Sequence, residues 1–205
     1  MNIKKIIKGM AGFSMIEVLI AVSIVAVIGV FTTTILTRTY KAGNQGVALS
    51  RLKQNGELAM DIMTDAIRNS EGVVCYGPPS ATRKTEIVIR TLEGKYTKFK
   101  FVEPVVAGNT VLTDGNGYIT KQENLNPSDY AVFCTTAIAT PAPVPITNAN
   151  NSSGVSISLG EFKKLTPQST SKDSVMISFT VNRTLAQNAT TETDVALMQT
   201  TVQVR

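Results

Sequence analysis

The residues in this chain that could do chemistry are few, and the first of them is a lone carboxylate. Glu17 stands near the start of an apolar run, residues 13–31, that contains no other charged side chain. Lys4, Lys5 and Lys8 precede the run, and Gly12 sits immediately before it. An ionised carboxylate inside a bilayer-length helix costs a few kcal/mol or more, less near the end where it can reach the interface, so such groups are usually paired or functional. The chemistry open to Glu17 is therefore charge pairing with a cation in a low dielectric.

The second candidates are Cys75 and Cys134, the two cysteines of the chain, both outside the apolar run. In an exported domain an even count points to one disulfide, which would contribute roughly 3 to 4 kcal/mol through loop entropy. Two buried free thiols are the alternative, and the spacing fits no zinc pattern. The chain has no His, which removes the commonest general base and metal ligand together. No nucleophile with a base, no metal cluster and no phosphate loop is visible, so the expectation is a non-enzyme that needs no cofactor. Asp114-Gly115-Asn116-Gly117 could offer oxygens to calcium, but only Glu123 and Asn124 stand near enough to help, and a plain turn is the expected reading.

Residues 13–31 are long enough to cross a hydrocarbon core of about 30 Å as a helix rising about 1.5 Å per residue. A cleaved secretory signal would have a shorter apolar core followed by a small-x-small site, whereas here the Gly comes before the run. A plain signal anchor, its lysines held in the cytoplasm, is the simplest alternative.

Gly12-Phe13-Ser14-Met15-Ile16-Glu17-Val18-Leu19-Ile20-Ala21 resembles the processing signal of type IV pilins and type II secretion pseudopilins. That pattern is a basic leader ending in Gly, a Phe that becomes the methylated N-terminus, and Glu at the fifth mature position. The resemblance implies cleavage after Gly12 by a membrane-embedded prepilin peptidase and methylation of the new amine of Phe13. Glycine suits such a cut because no side chain obstructs the scissile bond. It also implies that Glu17 meets the amine of a neighbouring subunit, a pair that would set register more than add stability. Near the start of the helix the macrodipole favours the same carboxylate.

The elements that would position these residues follow from periodicity. Ala48, Leu52, Gly56, Ala59, Met63, Ala66 and Ile67 recur at three- and four-residue steps, while Arg51, Lys53, Glu57, Asp61, Asp65 and Arg68 fall largely on other faces. Residues 13 to about 70 therefore read as one helix of about 85 Å, apolar in its first half and amphipathic in its second. Gly43, Gly46 and Gly56 each weaken it by roughly 1 kcal/mol, and a bend is expected near 43–46. The acidic stripe Glu57, Asp61 and Asp65 reads as a solvated face, with a subunit contact as the alternative. The helix should end by Gly72, before Gly77-Pro78-Pro79.

From residue 85 the period changes to two. Strands are expected at 86–91 and 95–102 around a Glu93-Gly94 turn, and at 110–113 and 118–121 as a second hairpin around 114–117. Further strands are expected at 130–135, 155–159, 175–183 and 195–204, with loops at 140–154, 166–173 and 187–194. The fold class is α+β: a long N-terminal helix packed on an antiparallel β head, pilin-like. The organisation expected is a leader at 1–12, a transmembrane or filament-core helix half at 13–38, an amphipathic half at 39–72 and a globular head at 73–205.

A net charge of +5 invites nucleic acid as a partner. Three of the 20 basic residues lie in 1–12, so the processed chain would hold 17 against 15 acidic, a balance of +2 and no strong electrostatic footprint. The segment 57–69 resembles the helix of minor pilins of the W type and pseudopilins of the J type, and 155–162, 175–181 and 197–205 are similar to their closing strands. The Pro that many major pilins carry in the second half of the anchor is missing, and Thr32, Thr33 and Thr34 occupy that region, a departure that favours a minor role.

The resemblance thus implies a structural minor subunit that primes or caps a type IV pilus or pseudopilus. It would reside in the inner membrane before assembly, and in an extracellular pilus or periplasmic pseudopilus afterwards. Its partners would be the peptidase, other subunits, the inner-membrane assembly platform and, before assembly, membrane lipid. The alternative is an adhesive or DNA-binding tip module whose head, through Lys95, Lys98 and Lys100, contacts a surface ligand.

Overall fold

The helical beat read from the sequence forms α1 (Met15–Arg68), and Leu52, Gly56, Ala59, Met63 and Ile67 make its buried face. The structure, a computed structural model, describes residues 14–77, 81–104, 106–107, 110–111, 115–125, 141–148, 154–165, 173–183 and 195–204. The chain divides into two compact units, Met1–Gly46 and Val47–Arg205. In the first, every described residue is solvent-exposed. The second holds the end of α1 and all the described strands.

The end of α1 is fixed by local bonds. The Ser70 hydroxyl donates to the carbonyl of Ile67 at 2.7 Å, and the Asn69 side-chain amide donates to Asp65 Oδ1 at 2.8 Å. The first occupies a carbonyl that the last turn leaves without a helical partner, and the second ties the residue after the helix back to its last turn. Strand β1 (Ser70–Tyr76) follows at once, so residues 70–72, expected to close the amphipathic helix, belong to a sheet. Glu57, Asp61 and Asp65 are exposed, as a solvated stripe requires.

β1 begins a five-stranded antiparallel sheet with β2 (Glu86–Thr91), β3 (Tyr96–Val102), β6 (Tyr118–Leu125) and β7 (Val144–Pro145), in the order β1-β2-β3-β6-β7. The β2–β3 hairpin matches its sequence expectation. Gly94, at φ 77°, supplies the left-handed residue its turn requires, and its N–H donates to the Thr91 carbonyl at 2.9 Å. The second expected hairpin does not form between these partners. β5 (Thr110–Val111) pairs instead with β4 (Val106–Ala107), whereas β6 pairs with β3 and β7. Gly115, Asn116 and Gly117, read as a plain turn, are buried. A further sheet has the order β10-β9-β8, from β8 (Val155–Leu165), β9 (Ser174–Arg183) and β10 (Val195–Gln203). The expected strand at 130–135 and the expected loops at 166–172 and 187–194 lie outside the described residues.

The larger sheets meet along β8. The N–H of Ile157 donates to the Gly117 carbonyl at 2.8 Å, and the Gly117 N–H donates to Ser156 Oγ at 3.1 Å. A Cβ at Gly117 would fall 1.9 Å from the Ile157 carbonyl oxygen, so only glycine permits this approach. Between the sheets, the Phe101 ring packs 4.7 Å from Phe162 and 5.6 Å from Phe179, centroid to centroid. Ile87, Ile89, Phe99, Ile119, Ile177 and Val181 join the α1 face to complete one core. The fold is α+β, with the amphipathic end of a long N-terminal helix packed against antiparallel sheet.

Candidate functional site

Successive residues on a helix point about 100° apart, so an unbroken apolar run is apolar on every side. Ile16, Val18, Leu19, Ile20, Val22, Ile24, Val25, Val27, Ile28, Val30 and Phe31 are all exposed in α1. The helix thus holds a segment long and apolar enough to cross a membrane, none of it buried within the chain. An exposed apolar surface of this extent marks a region covered by lipid or by other protein.

The hydroxyls inside the segment are already satisfied. Ser23 donates to the Leu19 carbonyl, Thr32 to Ile28, Thr33 to Gly29 and Thr34 to Val30, each at 2.8 Å. An unpaired hydroxyl moved from water to hydrocarbon costs roughly 2 to 7 kcal/mol. These i−4 bonds remove most of that penalty, so the Thr32–Thr33–Thr34 run is compatible with an apolar surrounding.

Glu17 lies in the first turn of α1. The Ser14 carbonyl accepts the N–H of Glu17 at 2.9 Å and that of Val18 at 3.3 Å, which makes Ser14 the N-cap and Glu17 the third helical residue. Ser-x-x-Glu ahead of an apolar run is the spacing of a capping box, a signal that the sequence itself carries. A carboxylate here also faces the positive end of the helix dipole. Gly12 and Phe13, the expected cleavage and methylation positions, lie outside the described residues, as does Asp114.

In the head, the three lysines expected to face a ligand do not form an open basic patch. Lys98 is buried, its Nζ 3.0 Å from Glu86 Oε2, and Lys100 Nζ lies 3.8 Å from the same oxygen. Lys95 pairs with Glu93 at 3.4 Å. Lys98 and Lys100 alternate with Phe99 and Phe101, the pattern of a hairpin with one apolar face, yet Val88, Tyr96 and Leu125 are buried on the lysine side. The unbroken run Ile87-Val88-Ile89 carried that information, since strands covered on both faces read as continuous apolar stretches.

Cys75 is disulfide-bonded and packs beside Val88, Tyr96 and Leu125. Cys134, the other cysteine of the sequence, lies outside the described residues. Glu123 pairs with Lys121, and Asn116 is buried. Among the described residues no group of three or more His, Cys, Asp or Glu side chains could hold a metal ion. No protein-family model, curated protein or solved structure matches this chain.

Proposed function

We propose that this chain is a structural subunit, a minor one, of a type IV pilus or related pseudopilus, anchored in the inner membrane by α1 and then polymerised through it. The observation that carries the reading is that α1, from its start to Phe31, is apolar on every side and carries one carboxylate, Glu17, in its first turn. Lipid can cover such a surface before assembly and neighbouring helices can cover it afterwards. Cleavage after Gly12 would leave the amine of Phe13 four residues ahead of Glu17 in sequence, and a neighbour's amine would supply the missing cation. Assembly, rather than catalysis, is the activity.

The head supports this reading over a charge-driven tip adhesin, because Lys95, Lys98 and Lys100 each have a carboxylate partner. The test is Glu17→Ala, followed by separate measurement of membrane insertion, cleavage and recovery in sheared filaments. Insertion and cleavage should persist while recovery falls sharply; normal recovery would sink the pairing role.

A further inference from the structure

The ends of the two larger sheets are not alike. At one end of the five-stranded sheet, β1 pairs with β2 through two register irregularities and carries Glu71; at the other, β7 is two residues long and ends in Pro145. The outer side of β8 is occupied by backbone bonds, from Val155 N–H to Asn148, from Ile157 to Gly117 and from Phe162 to Lys84. Bulges, charges, proline, shortness and cover are the devices by which sheet edges avoid pairing with other chains.

Among the described residues, β10 shows none of them. It pairs with β9 without a register irregularity, from Val195↔Asn182 to Gln203↔Ser174, and among the described residues nothing pairs with its outer side. It contains no Pro and, among described strands longer than two residues, it alone carries no charged side chain. Its side chains alternate: Ala196 and Val202 are buried, while Leu197 is 71% exposed. A regular, uncharged edge is a template for strand addition.

We infer that the free edge of β10 pairs antiparallel with β10 of a second copy of this chain, joining two three-stranded sheets into one. Self-pairing centred on Gln199 sets Leu197 opposite Thr201, Met198 opposite Thr200 and Ala196 opposite Val202. Inward residues then meet inward residues, and outward residues meet outward ones, as the two-residue period requires. The absence of charge is what lets an identical strand be the partner.

Oxidative cross-linking of the full chain in detergent micelles tests this. Directly opposed residues in an antiparallel pair have Cβ atoms about 4.5 to 5.5 Å apart, within reach of a disulfide after small adjustment. Gln199→Cys should therefore give at least about ten-fold more covalent dimer than Leu92→Cys, which is exposed in the β2–β3 turn. Leu197→Cys alone should give little, because its copies would sit about 13 Å apart along the strands. Leu197→Cys mixed with Thr201→Cys should give the heterodimer.

A second pair of variants acts without cysteine. Leu197→Lys/Thr201→Lys and Leu197→Glu/Thr201→Glu should each be monomeric by light scattering, and their mixture dimeric. Equal cross-linking at Leu92 and Gln199 would reveal association through α1 alone. That result, a Gln199→Cys chain that stays monomeric, or one that links only to a different polypeptide, would overturn the inference.

Discussion

Lys98 Nζ lies 3.0 Å from Glu86 Oε2, with side-chain exposures of only 5% and 8%, so this is an interior ion pair. The two residues stand on adjacent strands of the β2–β3 hairpin, where Val88 is directly opposite Lys98 and Lys100 opposite Glu86. Removing one partner of a buried pair leaves an uncompensated charge, which typically costs about 3 to 5 kcal/mol, whereas replacing both by apolar groups is often close to neutral. Lys98→Met should therefore lower the urea midpoint of the head markedly, and Glu86→Leu/Lys98→Met should recover most of the loss. A ligand-binding test by charge reversal should accordingly use Lys95 and Lys100, because reversal of Lys98 would unfold the head.

Glycines in α1 separate into two kinds. No atom outside the local helix lies within 4 Å of a Cβ built at Gly43 or Gly46, whereas one at Gly56 falls 2.6 Å from Met198 Cε and 3.0 Å from Val181 Cγ2. Gly46→Ala should raise helix stability by roughly 1 kcal/mol, the ordinary difference between the two residues. Gly56→Leu should instead destabilise by about 1 to 3 kcal/mol through overpacking. Thermal unfolding of the two variants side by side checks the contrast, and equal behaviour would place Gly56 outside the core.

Burial pushes the Tyr76 hydroxyl well above its ordinary range, and the charge of Asp173 adds to the rise. Its oxygen is buried without a hydrogen-bond partner among the described residues. The group is an acid whose folded-state pKa exceeds its unfolded value of about 10, so its titration leaves stability unchanged below pH 10 and lowers it as pH rises further. Tyr76→Phe should lose stability less steeply above pH 10 than the native chain. At neutral pH it should gain about 1 kcal/mol from removal of the unsatisfied hydroxyl. Urea titrations at pH 8 and pH 10.5 measure both effects.

Much of this architecture was legible in particular residues. The steps from Leu52 to Ile67 defined the buried face of α1, and alternation around Glu93-Gly94 defined the β2–β3 hairpin. β1 was missed because it starts at Ser70, directly after the helix and ahead of Gly72, the glycine that was read as the helix stop. β7 was missed because two residues inside a Pro-rich stretch carry no pattern. The false hairpin at 114–117 arose because Gly and Asn signal a tight turn, whereas here Gly117 is required by the close approach of Ile157. At the candidate site, the apolar run and Glu17 were plain in the sequence. The burial of Lys98 was not, because alternation alone does not tell whether a second layer covers the polar face.

Glu17 has two physical roles that one substitution separates. A capping box accepts Gln as well as Glu at its third position, but a charge pair requires the carboxylate. Glu17→Gln should preserve the helicity of α1 by circular dichroism in micelles while losing filament incorporation as Glu17→Ala does. Full incorporation of the Gln variant would assign Glu17 to helix capping alone.

The central claim, that this chain is processed and then assembled through α1, is tested most directly by mass spectrometry of its N-terminus in filaments sheared from cells. The account predicts a chain that begins at Phe13 and carries a methyl group on its amine. A chain that still begins at Met1, or one never recovered in filaments, would contradict it.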